Sequence, residues 1–371
     1  SYTAHAKSSD ASTGIAGPAT ASYENVLDYD FNRFTACLAG GADGLDIKER
    51  DPFNNTDLSS KTDATSYAYN SISVAIDAVR DPERVEYNLI TMPGLTNNAL
   101  NTKMIRMCED RGDAMAIVDL QGGYKPDTES AGSEVDRRGV VSTTITNLKN
   151  DFQPNSSYAC AYYPWVQIRD TINGATLWAP PSVVALGAMS YGEATSQLWF
   201  APAGFTRGGL SANQAAGIPV TGVNQRLTSK DRDKLYEAGI NPIATFPAEG
   251  IVIFGQKTLQ LTPSALDRIN VRRLVIYLKK QISRFAATIL FDQNVETTWN
   301  RFKSKVEPFL SDVKAGLGIT DYRLILDETT TTPDLIDRNI MYAKIFVKPA
   351  RAIEYIAIDF VISDSGASFE D

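Results

Sequence analysis

Acidic side chains near one apolar run have the residue types that acid–base or metal chemistry requires. They are Glu109, Asp110, Asp113 and Asp119. Asp119 lies at the end of the run at residues 114–120 (AMAIVDL), and a glycine pair, Gly122 and Gly123, follows it. Enzymes of the α/β class place general acids, general bases and magnesium ligands at the carboxyl ends of parallel strands. These residues therefore define one hypothesis, an α/β enzyme that depends on carboxylates or a metal.

Other features of the sequence argue against an enzymatic function. Arg111 offers Glu109 and Asp110 a local ion pair, and no second carboxylate cluster with defined spacing occurs. His5 is the only histidine, so a Ser-His-Asp or Cys-His arrangement would depend on it. The glycine-rich stretch at residues 204–210 lacks the Lys-Ser/Thr pair of a phosphate-binding loop. We therefore expect no catalytic residue, no cofactor and no metal site.

The cysteines and the net charge further limit the kinds of protein that this chain can be. The three cysteines are widely spaced and form no CxxC pair, which indicates reduced thiols and folding in a reducing cytoplasm; they are Cys37, Cys108 and Cys160. The chain has 36 basic and 44 acidic residues and a net charge of −8, which opposes general nucleic-acid binding. No apolar run approaches the roughly 20 residues that a membrane span needs.

One predicted helix is basic within this acidic chain. Six basic residues and a single acid, Asp267, lie between residues 267 and 284. The basic residues are Arg268, Arg272, Arg273, Lys279, Lys280 and Arg284. Such a run forms either a solvated helix face or a contact surface for an acidic protein partner.

Alternating strands and helices predict how the first half folds. Short apolar runs at residues 87–92, 114–120 and 157–163 are typical of buried strands. Patterns typical of helices occupy residues 97–110 and 140–152 between them. Strand–helix–strand alternation predicts an α/β fold with a mainly parallel sheet and helices on its faces, in a three-layer-like arrangement.

Composition shifts divide the chain into three predicted parts. Residues 1–24 are rich in Ser, Thr, Ala and Gly and indicate a flexible stub or linker. A Pro-, Gly- and Trp-rich passage begins at Pro164, so we place a domain junction near residues 165–180. The predicted domains are therefore residues 25–170 and 171–371.

Two long amphipathic helices and a terminal strand characterise the last part of the sequence. Apolar residues recur every three or four positions across residues 266–290 and 295–317. The segment at residues 352–362 (AIEYIAIDFVI) alternates as a strand does. An apolar strand at a chain terminus either pairs inside its own sheet or is donated to another subunit. These elements predict a mixed sheet flanked by the two helices.

Several strings, in their order along the chain, resemble the contractile tail sheath proteins of myovirus-type, T4-like bacteriophages. They are YNLITMPGLTN at 87–97, RGDAMAIVDL at 111–120, YYPWVQIRD at 162–170, WAPPSVVALGAM at 178–189, WFAPAGFTRGGL at 199–210, LYEAGINPIATFPAEGIVIFGQKTL at 235–259 and INVRRLVIYLKKQI at 269–282. The resemblance covers roughly residues 30–371, and the series from NPI to NVRRL is its most specific part. It corresponds to the core and C-terminal portion of such proteins, without the N-terminal arm and outward-facing inserted domains that they usually carry.

The resemblance implies a structural subunit rather than an enzyme. Copies would polymerise as stacked hexameric rings around a tail tube, and the sheath would contract by subunit repacking to drive the tube through the host envelope. Implied partners are further copies of the chain, the tail tube protein, and the baseplate and tail terminator proteins, with no nucleic acid and no direct membrane insertion. The implied location is the virion tail, assembled in the bacterial host cytoplasm. A sheath of a related contractile injection system is a further alternative.

Two sets of residues are predicted to make the contacts of such a subunit. The residues predicted to pair as a strand between subunits are Ile353, Tyr355, Ile356, Ile358, Phe360 and Ile362. The basic residues predicted to face the tube are Arg272, Arg273, Lys279, Lys280, Lys303 and Lys305.

Overall fold

The computed structural model describes residues 51–210 and 218–354. The helices are α1 Asn55–Leu58, α2 Tyr67–Ala78, α3 Asn98–Arg111, α4 Val141–Asn147, α5 Pro181–Thr195, α6 Gly204–Arg207, α7 Ser229–Glu237, α8 Ile269–Ala287, α9 Glu296–Ala315 and α10 Pro333–Asp337. The strands are β1 Leu89–Thr91, β2 Met115–Val118, β3 Ala159–Tyr163, β4 Val166–Arg169, β5 Thr176–Ala179, β6 Val220–Val223, β7 Ile240–Phe246, β8 Gly250–Ile253, β9 Ile319–Ile325 and β10 Lys344–Pro349. The predicted linker at 1–24 lies outside the described residues.

A five-stranded sheet with the order β1-β2-β3-β7-β8 forms the centre of the fold. Its first four strands are parallel, and β8 pairs antiparallel with β7. Met115 and Ile117 of β2 pack with Val184 and Met189 of α5 in one buried cluster. The alternate residue Ala116 points to the opposite face, where α3 contacts β2. The mixed α/β fold with a mainly parallel, helix-covered sheet is therefore confirmed.

Local signals explain where the helices around this sheet begin and end. The Asn97 side chain accepts hydrogen bonds from the first amides of α3, and Gly112 ends that helix in the left-handed conformation. Thr228 and Asp231 form a reciprocal capping box at the start of α7. Gly239, with φ of +85°, follows the end of α7 and lets the chain turn into β7.

The passage at residues 164–223 contains a second, smaller sheet that the sequence analysis did not predict. Strand β4 lies between β5 and β6 and is antiparallel to both. The central sheet combines strands from both sides of residue 170, because β3 pairs with β7. The domain division near residue 170 stays a prediction.

A second hydrophobic cluster lies between the long helices and a two-stranded sheet. Its members on α9 are Trp299, Phe302, Val306, Leu310 and Val313. Strands β9 and β10 pair antiparallel and place Leu324 and Ile345 against this cluster. Both clusters include residues of α8, because Ile276 packs with the central sheet and Leu278 packs with α9. No helix in the described ranges is long and apolar enough to cross a membrane.

Candidate interaction surfaces

Asp119, the central residue of the enzyme hypothesis, is a buried acceptor of internal hydrogen bonds. Its Oδ2 accepts from the Gly94 amide at 2.8 Å and from the Ser182 hydroxyl at 2.6 Å, and its Oδ1 accepts from the Ser182 amide at 3.2 Å. The side chain is 1% exposed. Burial raises the pKa of Asp119 to about 6, although these hydrogen bonds oppose the rise. The carboxylate thus ties the end of β2 to the first turn of α5.

Asp113 and Gly122 of that hypothesis are also used inside the fold, whereas Glu109 and Asp110 are exposed, and Asp110 pairs with Arg80 at 2.6 Å rather than with Arg111. Asp113 accepts from Arg111 at 2.8 and 3.0 Å, and the Arg111 guanidinium lies 4.1 Å from the centre of the Tyr87 ring. Gly122 has φ of +90°, and a Cβ there would lie 2.9 Å from the Thr144 amide nitrogen. Within residues 51–210 and 218–354, no three His, Cys, Asp or Glu side chains are grouped to hold a metal ion.

Two of the six basic residues predicted to face a tube are buried inside the chain. The Arg272 guanidinium lies 4.0 Å from the centre of the Tyr158 ring and donates to the Ser157 hydroxyl. Arg273 donates to Glu193 of α5 at 2.9 Å. Burial lowers the pKa of both arginines. These guanidinium groups attach α8 to the central sheet and α5, which removes them from the surface that a partner can contact.

The remaining four lysines of that set lie at or near the surface. Lys279 is exposed, and Lys280 forms an ion pair with Glu86 at 3.0 Å. Lys303 is half-buried, and Lys305 donates to the Thr288 hydroxyl at 2.8 Å. Their contact with a tube stays a prediction.

The β9–β10 hairpin has one packed face and one open face. Ile345 and Val347 pack toward the second cluster, whereas Phe346 between them is 56% exposed. In the described part of the chain this sheet has two strands, so each strand has an outer edge with unpaired backbone groups. Of the residues predicted to pair between subunits, Ile353 is 82% exposed. The others, Tyr355, Ile356, Ile358, Phe360 and Ile362, lie outside the described residues.

The structure shows a contact that the sequence analysis missed, in which Arg268 and Gln256 both donate to Glu354. Glu354 accepts from Arg268 at 2.5 and 2.9 Å and from Gln256 at 3.2 Å. No sequence signal identified this contact, because 86 positions separate Arg268 from Glu354.

Solved sheath structures share this architecture. The contracted sheath of an extracellular contractile injection system, the PVC sheath complex, has a TM-score of 0.60 and 21% identity over 78% of this chain and 75% of that chain. The contracted helical sheath of the anti-feeding prophage has a TM-score of 0.59 and 21% identity over 78% of this chain and 73% of that chain. The fold is therefore of the contractile-sheath class.

Family profiles match almost all of the described chain. The phage tail sheath protein central domain matches residues 63–259, and the phage tail sheath C-terminal domain matches residues 262–363. The chain therefore belongs to the phage tail sheath protein family, as the resemblance of its motifs predicted.

Curated relatives carry the same description. The tail sheath protein of Vibrio phage KVP40 is 36% identical over 255 residues, which are 69% of this chain and 36% of that protein. The tail sheath protein of Enterobacteria phage T4 is 35% identical over 222 residues, 60% of this chain and 33% of that protein. The chain thus spans about a third of the length of these relatives.

Proposed function

We propose that this chain is a structural subunit of a contractile phage tail sheath. Copies polymerise as stacked hexameric rings around a tail tube, and the sheath contracts by repacking its subunits, which drives the tube through the host envelope. The observation that carries the proposal is the match to both sheath domains across residues 63–259 and 262–363. The protein is a component of the virion tail, and its further partners are the baseplate and tail terminator proteins.

The open hairpin supports a link between copies by strand pairing. Strands β9 and β10 present outer edges, and a two-stranded sheet gains stability when further strands join it. The sequence after Glu354, with apolar Ile356, Ile358 and Phe360 at every second position, has the alternation of a strand and is the segment that we propose as the added strand. Main-chain hydrogen bonds would then join neighbouring subunits while their packed bodies move.

The lysines of α8 and α9 supply the contact with the tail tube in this proposal. Lys279 and Lys305 are exposed, so their charges are accessible to an acidic tube surface. Arg272 and Arg273 take no part in that contact because they are buried against Tyr158 and Glu193. Rim charges of this kind set register and the rate of association more than affinity.

The proposed role requires no catalysis. Asp119 is enclosed by hydrogen bonds from Gly94 and Ser182, and Asp113 is bonded to Arg111, so neither carboxylate is presented to a substrate. Calorimetric titration of the chain with magnesium chloride tests the enzyme alternative. We expect no binding heat, whereas a heat that disappears in Asp119→Asn would favour that alternative.

Electron microscopy of the concentrated full chain tests the sheath function. We expect rings, tubes or sheath fragments from the full chain, and loss of these assemblies when the chain is shortened after Glu354. A full-length variant with Ile356, Ile358 and Phe360 changed to Ser controls for the change in length and should also fail to assemble. Equal assembly of all three chains would contradict strand pairing, and a chain that stays monomeric even with an N-terminal arm of the family type fused to it would contradict the sheath function.

A further inference from the structure

The segment that follows β10 is attached to the body of the protein at two points. The Ala350 amide donates to the Gly318 carbonyl at 3.0 Å, just beyond the end of β10. The next three residues, Arg351, Ala352 and Ile353, are exposed. Glu354 then returns to the surface of the body and is half-buried there. The three exposed residues therefore form a short bridge between two anchored ends.

The second anchor is a forked ion pair. Glu354 Oε1 lies 2.5 Å from Arg268 Nε, and Oε2 lies 2.9 Å from Arg268 Nη2. Gln256, which is 4% exposed, adds a third hydrogen bond from its Nε2 at 3.2 Å. The Arg268 and Glu354 side chains are 26% and 17% exposed, so salt screens this pair less than it screens a surface pair. Two parallel charged hydrogen bonds also fix the direction of the carboxylate.

Other contacts within the protein hold in place the two residues that donate to Glu354. Arg268 is the residue before α8, and its backbone pairs with that of Lys257. The Ile269 amide donates to the Gln256 carbonyl at 2.8 Å. Arg268 Nη1 also lies 3.1 Å from Asp267 Oδ1. The guanidinium and amide donors are therefore positioned by the body of the protein rather than by Glu354.

We propose that Arg268 and Gln256 clamp Glu354 so that the terminal segment leaves the protein from one fixed point beside the start of α8. This inference rests on the proposed sheath function, because it identifies the anchor of the segment that links copies. Arg268 and Gln256 are positioning residues: they contact no partner subunit in this mechanism, and they set the place from which residue 355 starts. A clamp of this kind limits the directions that the linking strand samples and lowers the entropy lost when it pairs with a neighbour.

Trypsin cleavage after Arg351 tests the clamp in the full chain. Arg351 lies in the exposed bridge, so release of Glu354 gives the protease access to a loose segment. We expect Glu354→Gln and Arg268→Gln each to accelerate this cleavage about tenfold, as the loss of a charged, hydrogen-bonded pair predicts. Mass spectrometry of the fragment that begins at Ala352 measures the rate.

A double variant and a matched control decide whether the two residues act together. If they form one clamp, the Arg268→Gln/Glu354→Gln double variant is cleaved no faster than either single variant. Asp292→Asn breaks the ion pair with Arg301, whose atoms lie 2.7 Å apart, and should leave cleavage after Arg351 unchanged. Unchanged cleavage in the single variants, or effects that multiply to about a hundredfold in the double variant, would overturn the clamp.

Assembly of the same variants tests whether the clamp serves the link between copies. We expect Glu354→Gln to need about a tenfold higher concentration than the unaltered chain before polymers sediment, because its linking strand is less restricted. Polymerisation at the unaltered concentration would overturn the linking role. If the unaltered chain does not polymerise even with an N-terminal arm of the family type fused to it, the proposed sheath function fails, while the cleavage rates still decide whether the clamp exists.

Discussion

The central sheet and the β9–β10 hairpin differ in how many of their strand edges and faces are covered by other parts of the chain. The inner strands of the central sheet have neighbours on both sides, and residues 115–118 are buried on both faces. The hairpin has two strands in the described part of the chain, one packed face and an exposed Phe346 at its centre. The comparison indicates that the three inner strands of the central sheet have no edge left to pair, whereas each strand of the hairpin keeps one, where we propose that additional strands join.

The largest expected difference in stability is between two alanine variants near the hairpin, one at a buried phenylalanine and one at an exposed phenylalanine. Phe302 of α9 is 2% exposed in the second cluster, so Phe302→Ala is expected to lower the free energy of unfolding by about 3–5 kcal/mol. Phe346→Ala, on the open face, should change it by less than about 1 kcal/mol. Urea denaturation of both variants checks this pair. Similar losses would mean that the open face is covered in the free protein.

The buried carboxylate of the central sheet should make stability depend on pH. The pKa of Asp119 is raised to about 6 in the folded state, compared with about 3.9 for an unfolded chain. The folded state then binds this proton more tightly, so the contribution of Asp119 favours folding below about pH 4 and is lost as pH rises to about 6. The expected change is about 3 kcal/mol.

Comparison with Asp119→Asn isolates this contribution from the other carboxylates. Denaturation midpoints of both proteins between pH 4 and 7 measure it, and the stability of the unaltered protein relative to the variant should fall as pH rises. A constant difference across that range would contradict the assignment. The difference in stability between the unaltered protein and Phe346→Ala should stay constant across this pH range, because both proteins keep Asp119.

A substitution in the turn between α8 and α9 should give the smallest change in the free energy of unfolding, and it should raise stability rather than lower it. Phe291 is fully exposed and has φ of +69°, a backbone conformation that is unfavourable for a residue with a Cβ. Phe291→Gly is expected to raise stability by about 0.5–1 kcal/mol, because it relieves this conformation without losing packing. The neighbouring Leu290→Gly should instead lower it. Thermal denaturation distinguishes the two, and a loss in both would show that Phe291 makes contacts within the fold.

Local signals in the sequence predicted the elements that depend on neighbouring residues. The predicted helix at 97–110 corresponds to α3 because Asn97 caps its start and Gly112 ends it in the left-handed conformation. The parallel strands were predictable because each is a short apolar run between helices. In the same way, the order of the sheath motifs predicted the family.

Features that depend on distant partners were not predictable from the sequence. The small sheet escaped prediction because β4 pairs with β6, about fifty positions later, and because β5 is partly exposed. Arg272 and Arg273 have the pattern of a solvated helix face, yet Tyr158 and Glu193 arrive from other elements and allow their burial. Charge pattern alone contains no information on such partners.

The sharing of α8 between both hydrophobic clusters has a mechanical consequence. This helix of 19 residues is about 28 Å long, and it contacts the central sheet through Ile276 and the second cluster through Leu278. A pull applied to β10 would therefore reach the sheet partly through the side chains packed along this helix. The helix thus links the hairpin to the central sheet through packed side chains, and we expect tension at the hairpin to be transmitted to the sheet.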